Sequence, residues 1–182
     1  LASDVSEFET LEEYKNSIRE RMQKEDDEIA DSIMKDSMVQ KLIDVNSVDT
    51  PASMVESEID TMIQGMKQQL AYQGLSLEQY QKFTGMDMAA MRDQARMDAE
   101  KRVASRILLK AVIRQENIEA TEEDIDKEMA DFAAQYGQSV EDVKKMIGND
   151  LHYFEEDVKM KKAIDMMFEK ANFVAAKAKE EE

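Results

Sequence analysis

Residues that interrupt regular structure are rare in this chain, which has one proline and five glycines among its 182 residues. Gly and Pro punctuate strands and turns, whereas Met, Ala, Glu, Lys and Gln favour helix. Fifteen methionines are present, aromatic residues make up only 6% of the chain, and tryptophan is absent. The composition therefore predicts an all-α protein, and the apolar fraction of 42% is large enough for a hydrophobic core.

The first helix is predicted to be very long. Thr10 stands three residues before Glu13, the spacing at which the two side chains cap a helix start reciprocally. Apolar residues continue at helical spacing to Leu42 and Ile43, which predicts one helix over residues 11–45. At 1.5 Å per residue this helix is roughly 50 Å long. We therefore expect an elongated helical domain.

A short phrase occurs twice, as YQGLSLEQYQKFTG at 72–85 and as YGQSVEDVKKMIGN at 136–149. Each copy contains a tyrosine, a glycine, a serine in capping position, a short amphipathic stretch and a second glycine. Long helical patterns precede and follow both copies, which is typical of a supersecondary unit that is used twice. We expect two protruding helical arms, a first over 51–116 and a second over 121–172, each with a short helix at its tip.

Both arms begin after a threonine. Thr50 is expected to cap the first arm, with Pro51 at the first helical position, where its missing N–H does no harm. Thr121 is expected to cap the second arm in the same way. The long first helix and the returning ends of the two arms are predicted to form a common body.

The charge of the chain narrows the class of partner. Acidic residues number 41 and basic residues 24, which gives a net charge of −17. A surface of that charge repels nucleic acid backbones and anionic membranes, so neither is an expected partner. Neutral or basic polypeptides are the better match. The absence of cysteine suits a reducing cytoplasm, and no apolar run is long enough to span a membrane.

Residues with catalytic or metal-binding chemistry are scarce. The single histidine, His152, cannot build a histidine-based metal site, and no Glu-x-x-His pair is present for a di-iron bundle. No glycine-rich phosphate loop, dinucleotide fingerprint or nucleophile–histidine pattern occurs. The numerous carboxylates are interpreted as solvated helix faces. We expect no catalytic residue, no metal, no cofactor and no enzymatic activity.

Methionine is the informative residue type. Met is flexible and polarizable, so it fills helical cores, but it also adapts to many different apolar partners. Two narrow arms cannot bury both of their sides, which favours exposed contact surfaces. The residues that we expect to contact polypeptide on the first arm are Met62, Met66, Leu70, Tyr72, Leu77, Tyr80 and Phe83. On the second arm they are Met129, Phe132, Tyr136, Val140, Val143 and Met146.

Four stretches together carry a family resemblance. They are DVSEFETLEEYKNSIRERM (4–22), TPASMVESEID (50–60), QQLAYQGLSLEQYQKFTG (68–85) and AEKRVASRILLKAVIRQENIEATEEDI (99–125). In this order they resemble the C-terminal chaperone domain of bacterial trigger factor, over residues 4 to about 172. The most specific residues are Phe8, Thr10, Leu11 and Glu13, together with Gly74, Leu75, Ser76, Leu77, Glu78, Gln79 and Tyr80.

The resemblance implies an ATP-independent, ribosome-associated chaperone of the cytoplasm that cradles nascent or unfolded polypeptides between two arms. In that family a ribosome-binding domain and an FKBP-like prolyl isomerase domain come before the helical domain, and this chain departs by lacking both. Ribosome contact and isomerase activity are then expected of the parent protein only, and the question of a homodimer is left open. The expected domains are a linker at 1–9 after the missing isomerase domain, a helical chaperone domain at 10–172 and an acidic solvated tail at 173–182.

Two alternative functions remain open on the sequence alone. The helical chaperone module of an exported prolyl isomerase has a similar kind of helical frame. A signal peptide in the full gene would favour this alternative. It is also compatible with a non-catalytic structural spacer, whose arms would bury their apolar faces against each other. The apolar area exposed along the arms separates a spacer from a chaperone that favours basic or apolar client segments.

Overall fold

The computed structural model describes residues 10–148 and 151–174, and within these residues the chain forms seven α-helices and no strand. The helices are α1 (Leu11–Val45), α2 (Ala52–Tyr72), α3 (Leu77–Thr84), α4 (Met88–Glu116), α5 (Glu122–Tyr136), α6 (Val140–Ile147) and α7 (Leu151–Lys170). The all-α prediction is confirmed. The predicted linker at 1–9 and residues 175–182 of the predicted tail lie outside the described residues. No described helix combines the length and apolarity needed to cross a membrane.

Hydrogen-bonded caps begin the helices where the sequence predicted them. At the start of α1 the amide of Thr10 donates to Glu13 Oε2 over 3.1 Å, and the amide of Glu13 donates to Thr10 Oγ1 over 3.2 Å. Ser76 and Thr121 form the same reciprocal capping boxes before α3 and α5. Ser139 accepts a hydrogen bond from the amide of Asp142 at the start of α6.

The predicted cap of the first arm is wrong. Helix α2 begins at Ala52 with Pro51, not Thr50, in the capping position, and no side chain caps it. The ψ angle of Pro51 is 131°, so this residue lies outside the helix although its φ of −58° would fit inside it. Its carbonyl instead accepts the amides of Met54 and Val55 at 2.9 and 3.2 Å. Helix α7 also ends earlier than predicted, at Lys170.

The chain divides into two compact units between residues 40 and 41. The first unit contains most of α1, a helix in which no residue is buried. The second unit contains α2–α7, and its sequence repeat is also a structural one. We call α2–α4 the first repeat and α5–α7 the second repeat. The predicted inclusion of α1 in a common body stays a prediction.

The first repeat is built around the contact between its two long helices. Its buried core consists of Val55 and Ile59 from α2 with Ala99 and Val103 from α4. Burial of such side chains stabilises the pair by roughly 1.5–3 kcal/mol for each large residue. The two helices are therefore held together along their own length, not at the tip.

Ion pairs flank that contact. Glu56 accepts from Arg92 and Arg96 at 2.6 and 2.7 Å, and these two guanidinium groups, Arg92 first, lower the pKa of the Glu56 carboxyl. Among the described residues, Glu58 is the charged residue whose side chain is buried. Its carboxylate oxygens lie 3.5 and 3.4 Å from guanidinium nitrogens of Arg102 and Arg106. Arginines of α4 thus face carboxylates in the first half of α2.

The second repeat has its buried cluster at its tip. Met129 and Ala133 from α5 and Val143 from α6 form its buried core. The start of α5 is tied to α7, because Lys162 Nζ lies 2.5 Å from Asp124 Oδ2 and donates to the carbonyl of Glu119 over 2.8 Å. The last long helices of the two repeats, α4 and α7, pack against each other.

Candidate polypeptide-binding surfaces

The structure brings three predicted contact residues of the first repeat together. Met62 and Met66 of α2 and Tyr80 of α3 line a cavity of about 290 Å³, which we call the first cavity. Its other lining residues are Ile63, Met86, Met91, Gln94, Ala95 and Asp98. The wall is therefore largely apolar, with one carboxylate.

The other predicted residues of the first repeat lie outside this cavity. Tyr72 and Phe83 are 93% and 81% exposed, so their rings are presented to solvent near the two ends of α3. Leu77 is half-buried, and Leu70 is buried. Tyr72 and Phe83 are available for contact, whereas Leu70 is buried near the end of α2.

The second repeat has its own cavity between α5, α6 and α7, with a volume of about 540 Å³. We call it the second cavity. Of the predicted contact residues only Met129 lines it, and that side chain is just 3% exposed. The complete lining is Glu122, Ile125, Asp126, Met129, Lys144, Ile147, Gly148, Leu151 and Glu155.

The remaining predicted residues of the second repeat divide between core and surface. Val143 is completely buried, and Phe132 and Val140 are half-buried beside it. Tyr136 and Met146 are each 60% exposed. The ring centroids of Phe132 and Tyr136 are 4.6 Å apart, so an aromatic pair continues from the core to the surface.

Local sequence places the two tip helices in the same way. Gly74 and Gly137 adopt φ angles of +74° and +62° after α2 and α5, a left-handed conformation that glycine adopts without steric cost. In both turns an amide reaches back five residues, from Leu75 to the carbonyl of Leu70 and from Gln138 to that of Ala133. The serine cap that follows starts each tip helix.

The two cavities differ in charge. The second cavity has three carboxylates, Glu122, Asp126 and Glu155, and one cation, Lys144, whose Nζ lies 3.1 Å from Asp126. The first cavity has Asp98 alone. Both cavities combine apolar walls with carboxylates, but the second presents more negative charge to an incoming group.

Several lining residues were not among the predicted contact residues. Met86, Ile125, Ile147 and Leu151 lie at helix ends or next to the turns between helices. Apolar residues that flank a predicted turn are the signal that could have identified them. Their convergence depends on how three helices pack, which periodicity within one helix does not describe.

Within residues 10–148 and 151–174, no cluster of His, Cys, Asp and Glu is arranged to hold a metal ion. His152 is exposed, and its ring centroid lies 6.0 Å from that of Tyr153 on the next residue. The side chains that line the two cavities offer apolar contact, charge and hydrogen bonding.

Comparison with known proteins identifies the family. Residues 10–169 match the family model described as the C-terminus of bacterial trigger factor protein. Trigger factor of Anoxybacillus flavithermus is 42% identical over 96% of this chain, and trigger factor of Bacillus subtilis is 37% identical over 93%. The chain spans 41% and 40% of the length of these two relatives.

A solved structure supports the fold. It belongs to a study of the structures of, and interactions between, domains of trigger factor from Thermotoga maritima, and it is 18% identical to this chain. The likeness has a TM-score of 0.58 and covers 91% of this chain and 98% of that one. The matching family region is the chaperone domain and not the isomerase domain, in line with a chain that is not an enzyme. On the strength of the family model and these relatives, the chain belongs to the bacterial trigger factor family.

Proposed function

We propose that this chain is an ATP-independent chaperone domain that holds unfolded or nascent polypeptides on the apolar surfaces of its two repeats. The observation that carries the proposal is the exposure of large apolar side chains at the tips of repeats that already have filled cores. Family membership supports a chaperone role. The surfaces described above supply a physical means for it.

The exposed tip residues are not needed to close the cores. Val55, Ile59, Ala99 and Val103 already pack against one another in the first repeat. Tyr72 and Phe83 lie outside that cluster and remain in water. A client that covers one such ring gains on the order of 1.5–3 kcal/mol from its burial. Several weak contacts of this kind hold an unfolded chain without requiring a particular sequence.

The two cavities favour different client side chains. Methionines in the wall of the first cavity can repack around apolar groups of different shape. The second cavity is lined by the carboxylates of Glu122 and Glu155 together with apolar residues such as Ile125 and Leu151, a combination that suits the charged head and aliphatic stem of a lysine or arginine. The net charge of −17 attracts basic clients over a longer range.

The proposal is tested by the double substitution Tyr72→Ser and Phe83→Ser. Because both side chains are exposed, each change should alter the free energy of unfolding by less than about 0.5 kcal/mol. Suppression of aggregation of a chemically denatured client protein should nevertheless weaken. Light scattering measures the aggregation, and circular dichroism during thermal unfolding measures the stability.

A matched control is Met97→Ser, which alters an apolar residue of α4 that is 63% exposed and lines neither cavity. The control variant should protect the client as well as the unaltered chain does. Equal protection by the double variant would contradict the proposal, because client binding would then not depend on the exposed tip residues. A chain that never suppresses aggregation would contradict it too and would favour the structural spacer.

Further properties of the parent protein belong to this proposal. The relatives are more than twice as long as the matched region, so ribosome association, isomerase activity and a cytoplasmic location concern the whole protein. Within the chain itself, an excess of negative charge opposes contact with ribosomal RNA. The client-binding role proposed for this chain concerns its two helical repeats.

A further inference from the structure

Methionines are concentrated in the wall of the first cavity. Four of its nine lining residues are methionines, namely Met62, Met66, Met86 and Met91. The second cavity, although larger, has only Met129 among its nine lining residues. The two repeats thus offer client side chains walls of different chemical reactivity.

Burial separates these methionines into two groups. Met62, Met66 and Met86 are half-buried, so part of each side chain is in contact with solvent. Met91 and Met129 are only 4% and 3% exposed. A hydroperoxide molecule is little larger than water, which occupies about 30 Å³ in the liquid, and the first cavity of 290 Å³ has ample room for it. A small oxidant can therefore reach the first three sulfur atoms more readily than the other two.

Resting on the function proposed above, we propose that the first cavity is a site of methionine oxidation, which weakens its hold on apolar client groups while the second cavity keeps its own affinity. A lone pair of the thioether sulfur attacks one oxygen of a hydroperoxide. The S–O bond forms as the O–O bond breaks. The proton of the attacked hydroxyl group passes to the departing oxygen, which leaves as water or an alcohol. Sulfur loses two electrons to the peroxide and becomes a sulfoxide.

The sulfoxide opposes client binding because it makes an apolar wall polar. An apolar client group that covers the new S=O oxygen removes it from water without giving it a hydrogen-bond donor, which costs free energy. The wall of the second cavity should stay unoxidised because its single methionine is buried. Oxidation should therefore change the client preference of the chain towards basic groups.

The fold itself should survive this modification. The buried cluster between α2 and α4 consists of Val55, Ile59, Ala99 and Val103, and only Met62 of the three reactive residues packs against it. Met66 and Met86 lie outside the cluster. A loss of client binding without a loss of helix is thus the expected signature.

The experiment uses the complete chain, hydrogen peroxide and two labelled peptides. One peptide is uncharged and contains phenylalanine, and the other contains lysine in the same positions. Peptide mapping by mass spectrometry should find sulfoxide at Met62, Met66 and Met86 before Met91 and Met129. Fluorescence anisotropy should show about tenfold weaker binding of the phenylalanine peptide after oxidation and little change for the lysine peptide.

Leucine variants separate the cavity from other methionines. The triple variant Met62→Leu, Met66→Leu and Met86→Leu keeps apolar volume without an oxidisable sulfur, so its affinity should be unaffected by peroxide. The single variant Met66→Leu should be partly protected and serves if the triple variant is unstable. The control Met97→Leu, outside both cavities, should lose affinity as the unaltered chain does.

Three results would overturn the inference. The first is that the oxidised chain binds the phenylalanine peptide as tightly as the untreated chain does. The second is that Met97→Leu keeps its affinity after oxidation as well as the triple variant does, and the third is a loss of helix in circular dichroism on oxidation. These results concern oxidation alone, since they presuppose that the untreated chain binds the peptide. A failure of the untreated chain to bind either peptide would instead contradict the proposed function, and the inference with it.

Discussion

The two repeats use the same local sequence to build different cores. In the first repeat the buried cluster lies between the long helices α2 and α4, and the tip helix α3 has no buried residue. In the second repeat the tip helix α6 inserts Val143 completely between neighbours that include Met129 and Ala133 of α5. The tip helix of the first repeat lies outside the buried cluster, whereas the tip helix of the second repeat is itself part of the buried cluster.

A single position after the serine cap contributes to this difference. Four residues after Ser76 stands Tyr80, and four residues after Ser139 stands Val143. Valine is small and has no polar atom, so it is buried completely at the tip of the second repeat. Tyrosine is larger and has a hydroxyl group that favours water or a partner, and it is half-buried in the cavity wall. Equal helix position thus leads to unequal burial.

The largest expected effect on stability comes from the buried cluster between α2 and α4 of the first repeat. Ile59→Ala should lower the free energy of unfolding by about 2–5 kcal/mol, because the side chain is fully buried between two long helices that cannot readily close the gap. Urea unfolding followed by circular dichroism measures this. Ile33→Ala on α1 removes the same atoms from a residue that is 60% exposed and should cost less than about 0.5 kcal/mol. Similar losses for both variants would contradict the assigned core.

A smaller loss is expected from the core of the second repeat. Met129→Ala should cost roughly 2–3 kcal/mol, the lower part of the range for such changes, since the residue also borders a cavity that already contains space. Its distinctive consequence is release of α6, which amide hydrogen exchange would detect as faster exchange in 140–147. Ile59→Ala should leave exchange in α3 unchanged, because α3 has no buried residue. Equal responses of the two tip helices would remove the contrast between the repeats.

The ion pairs of the first repeat give the next effect. Removing both Arg102 and Arg106 as alanines leaves the carboxylate of Glu58 buried without its partners, and should cost roughly 1–3 kcal/mol. Glu58→Gln should cost less than this, because both arginines are about half exposed or more and can return to water. Chemical unfolding of the two variants measures the order. The opposite order would mean that the buried carboxylate is held by other groups.

The smallest effect concerns pH and belongs to the second repeat. Lys162 first, and then Thr121, lower the pKa of the Asp124 carboxyl through hydrogen bonds. Because the folded pKa lies below the unfolded one, the stabilisation is present above about pH 4 and is lost as the pH falls further towards the folded value. Asp124→Asn should reduce the loss of stability on acidification, measured by unfolding between roughly pH 5 and pH 2. Asp131→Asn, which removes a charge from the exposed face of α5, should keep more of that dependence.

Much of the secondary structure could be predicted because its signals are local. A capping box joins residues three apart, as in Thr10 and Glu13, so both partners are visible in a short stretch of sequence. The same holds for the glycines that end α3 and α5. Thr50 failed as a cap because the choice between it and Pro51 depends on the ψ angle at the proline, which neither residue type determines.

The candidate surfaces could be predicted only in part. Helical periodicity placed Met62 and Met66 on one face of α2, and the structure adds Tyr80 from another helix to the same wall. The same reasoning could not separate Met129, which is buried, from Met146, which is exposed. Both lie on apolar faces of amphipathic helices, and their burial depends on which neighbour covers the face.

Sequence by itself thus determined the helical class, most helix ends and the existence of two related units, because propensity, caps and turns act between residues a few positions apart. Only the tertiary structure decided which repeat buries its tip, where the cavities lie and that Glu58 meets Arg102 and Arg106 more than forty residues away. Burial and ion pairing depend on the packing of distant segments, and many side chains satisfy the same local pattern. Packing alone selects among them.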